Sequence, residues 1–483
     1  MLFARAKMDY NETMSVPVTN TVQMRGWERA TWASGQTEAE VIRRVGKKVA
    51  RRARRLTRAD DLILILAGKG NNGADARAAK EFLDGRKSEL LEIAAPENFL
   101  PALETALAQK PALILDGLFG IGLNRPLEDS WIKLIRRVNE SKIPVLSIDV
   151  PSGLDADTGE HCGAAIEAAI TLTVGAPKIG MLAQNAWPFV GRLEVADDVG
   201  LVSCPVETEL NWTQPEDFQD FPPRRAVAGH KGSFGHLAII AGSFGFHGSS
   251  VLATHAAQRA QPGLVTLFAQ EQIYPVVASQ LQSAMVGVRK PGMQFDRTTS
   301  AFLIGCGLAG TDLPAETGLL TRELWLESEL PVIVDATALD WIPPAEFAKT
   351  AIRVVTPHPG EAAYLLKTTA DKVQADRVKS LREISKQLGN CWVVLKGHQT
   401  LIGRAEGVIF VNPSGNPHLA QGGSGDVLAG FIAGLLAQPP LQADVEKTIR
   451  YAVWQHGHAA DGLQSARANW VVEDLVDEIG NVR

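Results

Sequence analysis

Gly422-Gly423-Ser424-Gly425-Asp426 runs straight into an apolar stretch, Val427-Leu428-Ala429-Gly430-Phe431-Ile432-Ala433-Gly434-Leu435-Leu436. Three glycines ahead of a helix let the backbone turn tightly and aim several N–H groups at one point. The helix dipole adds positive potential there. Such a corner suits a phosphate. Asp426 stands where it could take a proton from a hydroxyl beside that phosphate, the role of a general base. A turn in which Asp426 merely caps a helix would read the same, so the surrounding chain has to decide.

Upstream of that motif the chain repeats one pattern: a short apolar run, then a glycine-rich or polar loop. His236–Ala241 leads into Gly242-Ser243-Phe244-Gly245-Phe246-His247-Gly248-Ser249-Ser250, and Ala301–Ile304 into Gly305-Cys306-Gly307-Leu308-Ala309-Gly310. Val332–Val334 ends at Asp335, Val354–Thr356 at Pro357-His358-Pro359-Gly360-Glu361, and Trp392–Leu395 at Lys396-Gly397-His398-Gln399-Thr400. Continuous apolar runs mark strands buried on both faces of a parallel sheet. Gly407–Val411 is expected as an antiparallel hairpin partner.

The first half does the same. Leu62–Ala67 is followed by Gly68-Lys69-Gly70-Asn71-Asn72-Gly73-Ala74-Asp75, formally G-x-G-x-x-G, with a helix expected from Ala76 to Leu83. Ala112–Leu115 runs into Asp116-Gly117-Leu118-Phe119-Gly120-Ile121-Gly122-Leu123, and Pro144–Ile148 into Asp149-Val150-Pro151-Ser152-Gly153. Ligands of open α/β sheets bind at the carboxyl ends of the strands, so Asn72, Asp116, Asp149 and Ser152 should converge on one crevice. Their oxygens are hard ligands, suited to an alkali or alkaline-earth ion.

A chain of 483 residues is too long for one core and predicts two or three domains. Thr21–Gly46 reads as one or two amphipathic helices with Met24, Trp27, Ala30 and Thr31 inward, followed by a basic helix. The proline-rich stretch Val202–Arg225 reads as the linker, dividing the chain into domains 1–215 and 216–483. A net charge of −6 gives no reason to expect nucleic acid. The run Arg51, Arg52, Arg54, Arg55 and Arg58 is one solvated helix face. Cys162, Cys204, Cys306 and Cys391 are scattered, which suggests neither zinc nor disulfides and fits a reducing cytoplasm. No apolar stretch is long enough to span a bilayer, and Met1–Lys7 lacks a signal-peptide core.

The first half resembles the NAD(P)H-hydrate epimerase domain, whose signature runs N-N-G-G-D-G, D-x-L-F-G-T-G-L and D-x-P-S-G-L-D. The matching segments are Asn71–Ala76, Asp116–Leu123 and Asp149–Asp155, with Ala74 and Ala76 in place of glycine and Ile121 in place of threonine. The second half resembles the ADP-dependent NAD(P)H-hydrate dehydratase of the ribokinase-like superfamily. Thr356–Glu361, Lys396–Thr400 and Gly422–Asp426 carry that likeness; Cys306, Leu419 and Gln421 depart from the usual proline, methionine and threonine.

The resemblance implies two three-layer α/β/α domains, an N-terminal Rossmann-like sheet and a C-terminal ribokinase-like sheet. It implies a potassium ion held by Asn72, Asp116 and Ser152. Asn71, Asn72, Gly73, Ala74 and Asp75, with the loop Gly120-Ile121-Gly122-Leu123-Asn124-Arg125-Pro126, would contact a hydrated dinucleotide, and Asp149 would be the acid–base group. Lys396, Gly397, His398, Gln399, Thr400 and Gly425 would meet ADP, with Mg2+ as helper. Ser249, Gly307 and His358 would face the hydrated nicotinamide, with Asp426 as catalytic base. The implied function is repair of hydrated NADH and NADPH: interconversion of the R and S epimers, and ADP-dependent dehydration of the S epimer with release of AMP and phosphate. Further copies of the chain are the expected protein partner. The alternative is a ribokinase-like small-molecule kinase with a non-catalytic first domain.

Overall fold

The computed structural model describes residues 16–309, 315–347 and 351–481. Met1–Lys7 and Gly310, both read above, lie outside these. The chain divides into two compact units, one spanning Val16–Trp212 and the other carrying Thr213–Arg483.

In the first unit, β1 (Val16–Pro17) pairs antiparallel with β8 (Leu210–Trp212). The main sheet holds β2 (Leu62–Ala67), β3 (Lys87–Glu92), β4 (Leu113–Gly117), β5 (Val145–Ile148), β6 (Ile170–Val174) and β7 (Arg192–Ala196). All run parallel, in the order β3-β2-β4-β5-β6-β7. Alternate β2 residues explain its unbroken apolar run. Ile63 and Ile65 join Val45, Val49 and Ala76 on one face, and Leu64 and Leu66 join Leu103, Leu134 and Ile135 on the other. The chain steps from β2 outward to β3, then returns to β4 on β2's other side. That reversal opens the crevice between the β2 and β4 ends.

Two expectations are corrected here. The basic run as far as Arg55 and the last part of the amphipathic stretch before it form one helix, Glu38–Leu56, started by Thr37 in a capping box with Glu40. Gly46 does not break it, because an added Cβ would lie 2.7 Å from Ala78 and Ala79 backbone atoms of the neighbouring helix. The helix after β2 starts at Asn71, not Ala76, so the asparagine motif is its first turn rather than a loop.

The second unit's sheet has β9 (His236–Ile240), β10 (Leu264–Ala269), β11 (Met285–Val288), β12 (Ala301–Ile304), β13 (Val332–Val334), β14 (Arg353–Val355), β15 (Trp392–Leu395), β16 (Leu401–Gly403) and β17 (Ile409–Val411). Its order is β17-β16-β15-β14-β13-β12-β9-β10-β11. Strands β9 to β15 pair in parallel; β16 and β17 turn antiparallel, as expected for Gly407–Val411. Leu303, Ile333, Val354 and Val394 face one buried layer, and the alternating Ile304, Val334, Val355 and Leu395 are equally buried. The strand order reverses between β9 and β12, which places Gly242–Ser250 and Gly305–Ala309 on either side of one crevice. Strands β3 and β11 had no apolar run to announce them. Charged or half-exposed residues such as Lys87, Glu89 and Met285 suit sheet edges.

Candidate active sites

In the first unit a cavity of about 720 Å³ opens at the β2/β4 reversal. Asn71, Asn72, Asp75, Gly120, Ile121, Gly122, Leu123, Asn124, Arg125 and Asp149 line it. Gly73, Ala74 and Pro126 do not. Gly73 serves packing, since a Cβ there would sit 1.9 Å from the Gly68 carbonyl. Ala74 and Ala76 are interior helix residues with ordinary helical backbone, and Ala76 packs beneath Gly117. Their methyls therefore leave the cavity uncrowded, contrary to what replacing a ligand-facing glycine would do.

Asp116 is wholly buried. It accepts hydrogen bonds from Ser147 Oγ (2.8 Å), Ser152 N (2.9 Å), Ser152 Oγ (2.5 Å) and Leu118 N (3.3 Å). Burial raises its pKa against the pull of those donors. Asn72 donates to the Phe119 carbonyl at 2.5 Å, which leaves its own Oδ1 buried without a partner among the described residues. Asp149 follows β5 with φ 65°, a left-handed conformation that a non-glycine residue holds only under constraint. Its Oδ1 accepts from Val174 N (3.1 Å) and is paired with Lys178. Lys178, fully buried, also donates to Thr173 Oγ1 (2.9 Å) and the Val174 carbonyl (3.0 Å). The sequence reading missed Lys178, although a lone lysine within Thr171–Met181 was a visible signal.

The second crevice gathers around the opening motif. Gly423 is left-handed (φ 98°) and caps the helix Ser424–Leu436, with Asp426 in its first turn. That helix lies against His247–Arg259 so closely that Cβ atoms on Gly430 and Gly434 would reach within 2.1 and 2.5 Å of the Ala253 and Ala257 carbonyls. The Ser249 hydroxyl and the Cys306 thiol lie near Asp426 and pull its pKa down. Burial, reinforced by the Asp335 carboxylate, nonetheless pushes it up to about 6. Gly307, at φ 64°, packs on Ser249.

Lys396 Nζ lies 2.9 Å from Asp335 Oδ1 and 3.7 Å from Glu361 Oε2. Burial opposes its charge, but the two carboxylates overcome that and raise its pKa. A Cβ on Gly425 would touch Lys396 Nζ at 3.4 Å, so the glycine turn and the lysine face one another. His358 caps the helix Pro359–Leu365, its Nδ1 accepting from Gly360 N (3.0 Å) and Glu361 N (3.3 Å). Nε2 is then the protonated nitrogen on a half-exposed ring.

Two supports escaped the sequence reading. Arg377 donates to the Leu395 (3.0 Å), Lys396 (3.3 Å), His398 and Gln399 (3.3 Å) carbonyls, clamping the Lys396–Thr400 loop from below. Burial and that guanidinium push His398 down to about 4. Gln399 is held at φ 53° with both amide ends buried and, among the described residues, unpartnered. His456 is likewise pushed down to about 4 by burial. Its neutral ring donates from Nε2 to the Ser424 carbonyl at 2.9 Å, fixing the first turn that carries Asp426. Neither signal was readable locally, because both residues lie far along the chain from what they hold.

Residues 237–481 match the NAD(P)H-hydrate dehydratase family, and residues 87–180 match the YjeF-related protein N-terminus. The bifunctional NAD(P)H-hydrate repair enzyme of Coxiella burnetii is 32% identical over 464 residues, 91% of this chain and 93% of that protein. The chain belongs to the bifunctional NAD(P)H-hydrate repair enzymes. The member from Moorella thermoacetica is 32% identical over 459 residues, covering 84% of this chain and 83% of its own. Among solved structures, an ADP/ATP-dependent NAD(P)H-hydrate dehydratase from Bacillus subtilis, co-crystallized with ATP/Mg2+, is 29% identical, covers 54% of this chain and 92% of its own, and has a TM-score of 0.48. The chain thus carries an isomerase half and a lyase half. Among the described residues no helix is long and apolar enough to cross a membrane.

Proposed function

We propose that residues 216–483 dehydrate the S epimer of hydrated NADH or NADPH at the expense of ADP, and that residues 1–215 interconvert the R and S epimers. The carrying observation is Asp426, raised to about 6 on the first turn of a glycine-capped helix, beside Ser249, Gly307 and Lys396. Such a carboxylate is ionised at pH 7 and more basic than an ordinary one. It takes the proton of the C6 hydroxyl as that oxygen attacks the β-phosphorus of ADP. The amides of the glycine turn and Lys396 then balance charge gathering on the transferred phosphoryl group. AMP departs, the C6–O bond breaks to release phosphate, C5 loses a proton, and the C5–C6 double bond returns.

His358 Nε2–H, fixed by the cap on Nδ1, is a donor for the nicotinamide carboxamide. The Lys396–Thr400 loop with Gly425 receives ADP. Asp335 is already committed to Lys396 and Thr356. Cys306 is held well above its ordinary pKa, chiefly by burial, so its neutral thiol makes a poor magnesium ligand. Mg2+ would therefore come in with ADP and would supply charge neutralisation at its phosphates.

In the first unit the donor set suits potassium. Asn72 Oδ1 is an orphaned buried carbonyl, with the Asp116 carboxylate and Ser152 hydroxyl alongside. A bound potassium would offset negative charge at that crevice. Asp149, locked by Lys178, is the acid–base group. The substrate contacts come from Asn71, Asn72, Asp75 and the loop from Gly120 to Arg125, which line the cavity. Four free cysteines suit a cytoplasmic setting. Self-association is the remaining part of the proposal, readable by sedimentation.

One assay tests the whole. Hydrated NADH is mixed with protein and ADP, and reduced-nicotinamide absorbance is followed together with orthophosphate. Recovery of both supports the reading, and absence of both sinks it. A stable phosphorylated product would restore the plain-kinase alternative, which the relatives' two-activity names now disfavour. Recovery confined to the S epimer would mean an idle first site.

A further inference from the structure

The epimerase cavity holds more carboxyl groups than its assigned chemistry uses. Glu28 projects into it from the helix Thr21–Ala33, alongside Asp75 and Asp149. Glu38, also lining the cavity, is occupied by accepting from Asn71 Nδ2 at 2.6 Å. Asp149 gives one oxygen, Oδ1, to Lys178. Glu28, half-buried, makes no hydrogen bond or ion pair among the described residues. A structural carboxylate would have one.

Resting on the epimerase reading above, we propose that Glu28 is a second catalytic residue of that site, giving a proton to the departing C6 hydroxyl of the hydrated nicotinamide. Inverting C6 without redox needs that hydroxyl to leave as water and a water to return to the other face. Glu28 protonates the hydroxyl, the N1 lone pair displaces it, and water and an N1=C6 cation result. Water then adds to the opposite face of C6 and yields a proton to Asp149. One proton is spent and one recovered, and the two carboxyls exchange roles for the reverse direction. The Glu28 carboxylate left by that proton transfer favours the cation electrostatically.

The environment favours the protonated form of Glu28. Burial raises the Glu28 pKa and the Asp149 carboxylate adds to that, as does Glu38, while Lys178 and Arg25 work against it. Asp75 is raised much further, by deep burial and then by Asp149 and Glu28. A group held that high gives its proton up reluctantly, and an acid works best with a pKa near the working pH. Glu28, half-buried where Asp75 is buried, is the one of the two that solvent can reprotonate between turnovers, and it takes the donor's role.

The fused chain supplies its own control, because dehydration of the S epimer reports the integrity of the protein in the same tube. In Glu28→Gln, kcat for R-to-S conversion should fall by about 10²-fold or more, with ADP-dependent dehydration of purified S epimer unchanged. Wild-type kcat for epimerisation should decline as rising pH removes the Glu28 proton, and Glu28→Gln should lose that limb while Glu28→Asp keeps it. A kcat within twofold of wild type, or a rise in KM alone, overturns the proposal. Loss of the same size in Asp75→Asn with the limb intact in Glu28→Gln would assign the proton to Asp75 and equally overturn it. A wild-type protein that dehydrates S but never consumes R would instead refute the epimerase reading itself.

Discussion

Asp426 shows what one side chain costs and does. Its pKa is raised from 3.8 to about 6 in the folded chain, so keeping it ionised at neutral pH costs about 3 kcal/mol. That penalty is fully present above about pH 6 and fades as pH falls toward 3.8, where the carboxyl is protonated in both states. Asp426→Asn should therefore raise the unfolding temperature at pH 7.5 by a few degrees, with little gain at pH 4; scanning calorimetry at both values reads it. Wild-type dehydration should fall about tenfold per pH unit below about 6, as the base is protonated. His358 separates binding from capping. His358→Asn retains an N-cap side chain, so it should leave stability unchanged while raising KM for the hydrated substrate, whereas His358→Ala also loses about 1 kcal/mol. Asp426 and His358 were legible from their motifs. Their environments were not, since Asp335, Ser249 and Cys306 come from three other strand ends.

At the scale of elements, position depends on contacts between segments remote in sequence. The helix carrying Asp426 is seated by Gly430 and Gly434 against the Ala253 and Ala257 carbonyls. A methyl at Gly430 meets backbone that cannot step aside. Gly430→Ala should destabilise by about 1–3 kcal/mol and lower dehydratase kcat, measured by urea unfolding and the absorbance assay. Arg377 acts on the nucleotide loop in the same remote way. Arg377→Lys replaces a planar fork with a single ammonium and should raise KM for ADP by roughly tenfold, about the worth of one charged hydrogen bond, while R-to-S conversion is unaffected. Apolar runs announced most interior strands because both of their faces are buried; β6, interrupted by Thr171 and Thr173, went unannounced. Edge strands β3 and β11, and three-residue β16, carried no such signal, and the helix beginning at Asn71 was masked by a glycine motif that reads as a loop.

For the whole molecule, two chemistries on one chain should separate by mutation. Asp426→Asn should abolish ADP-dependent dehydration and spare interconversion of the epimers; equal loss of both would argue for one shared site. By itself, the sequence determined two α/β units and the identity of most groups lining each crevice, because strand periodicity and loop chemistry are local properties. Tertiary structure alone decided how those groups behave. It tied Asp149 to a buried lysine 29 positions away, left Asn72 Oδ1 and the Glu28 carboxyl unpartnered, and braced the Asp426 turn with His456. Charge state and hydrogen bonding depend on distance and burial, which sequence order does not contain.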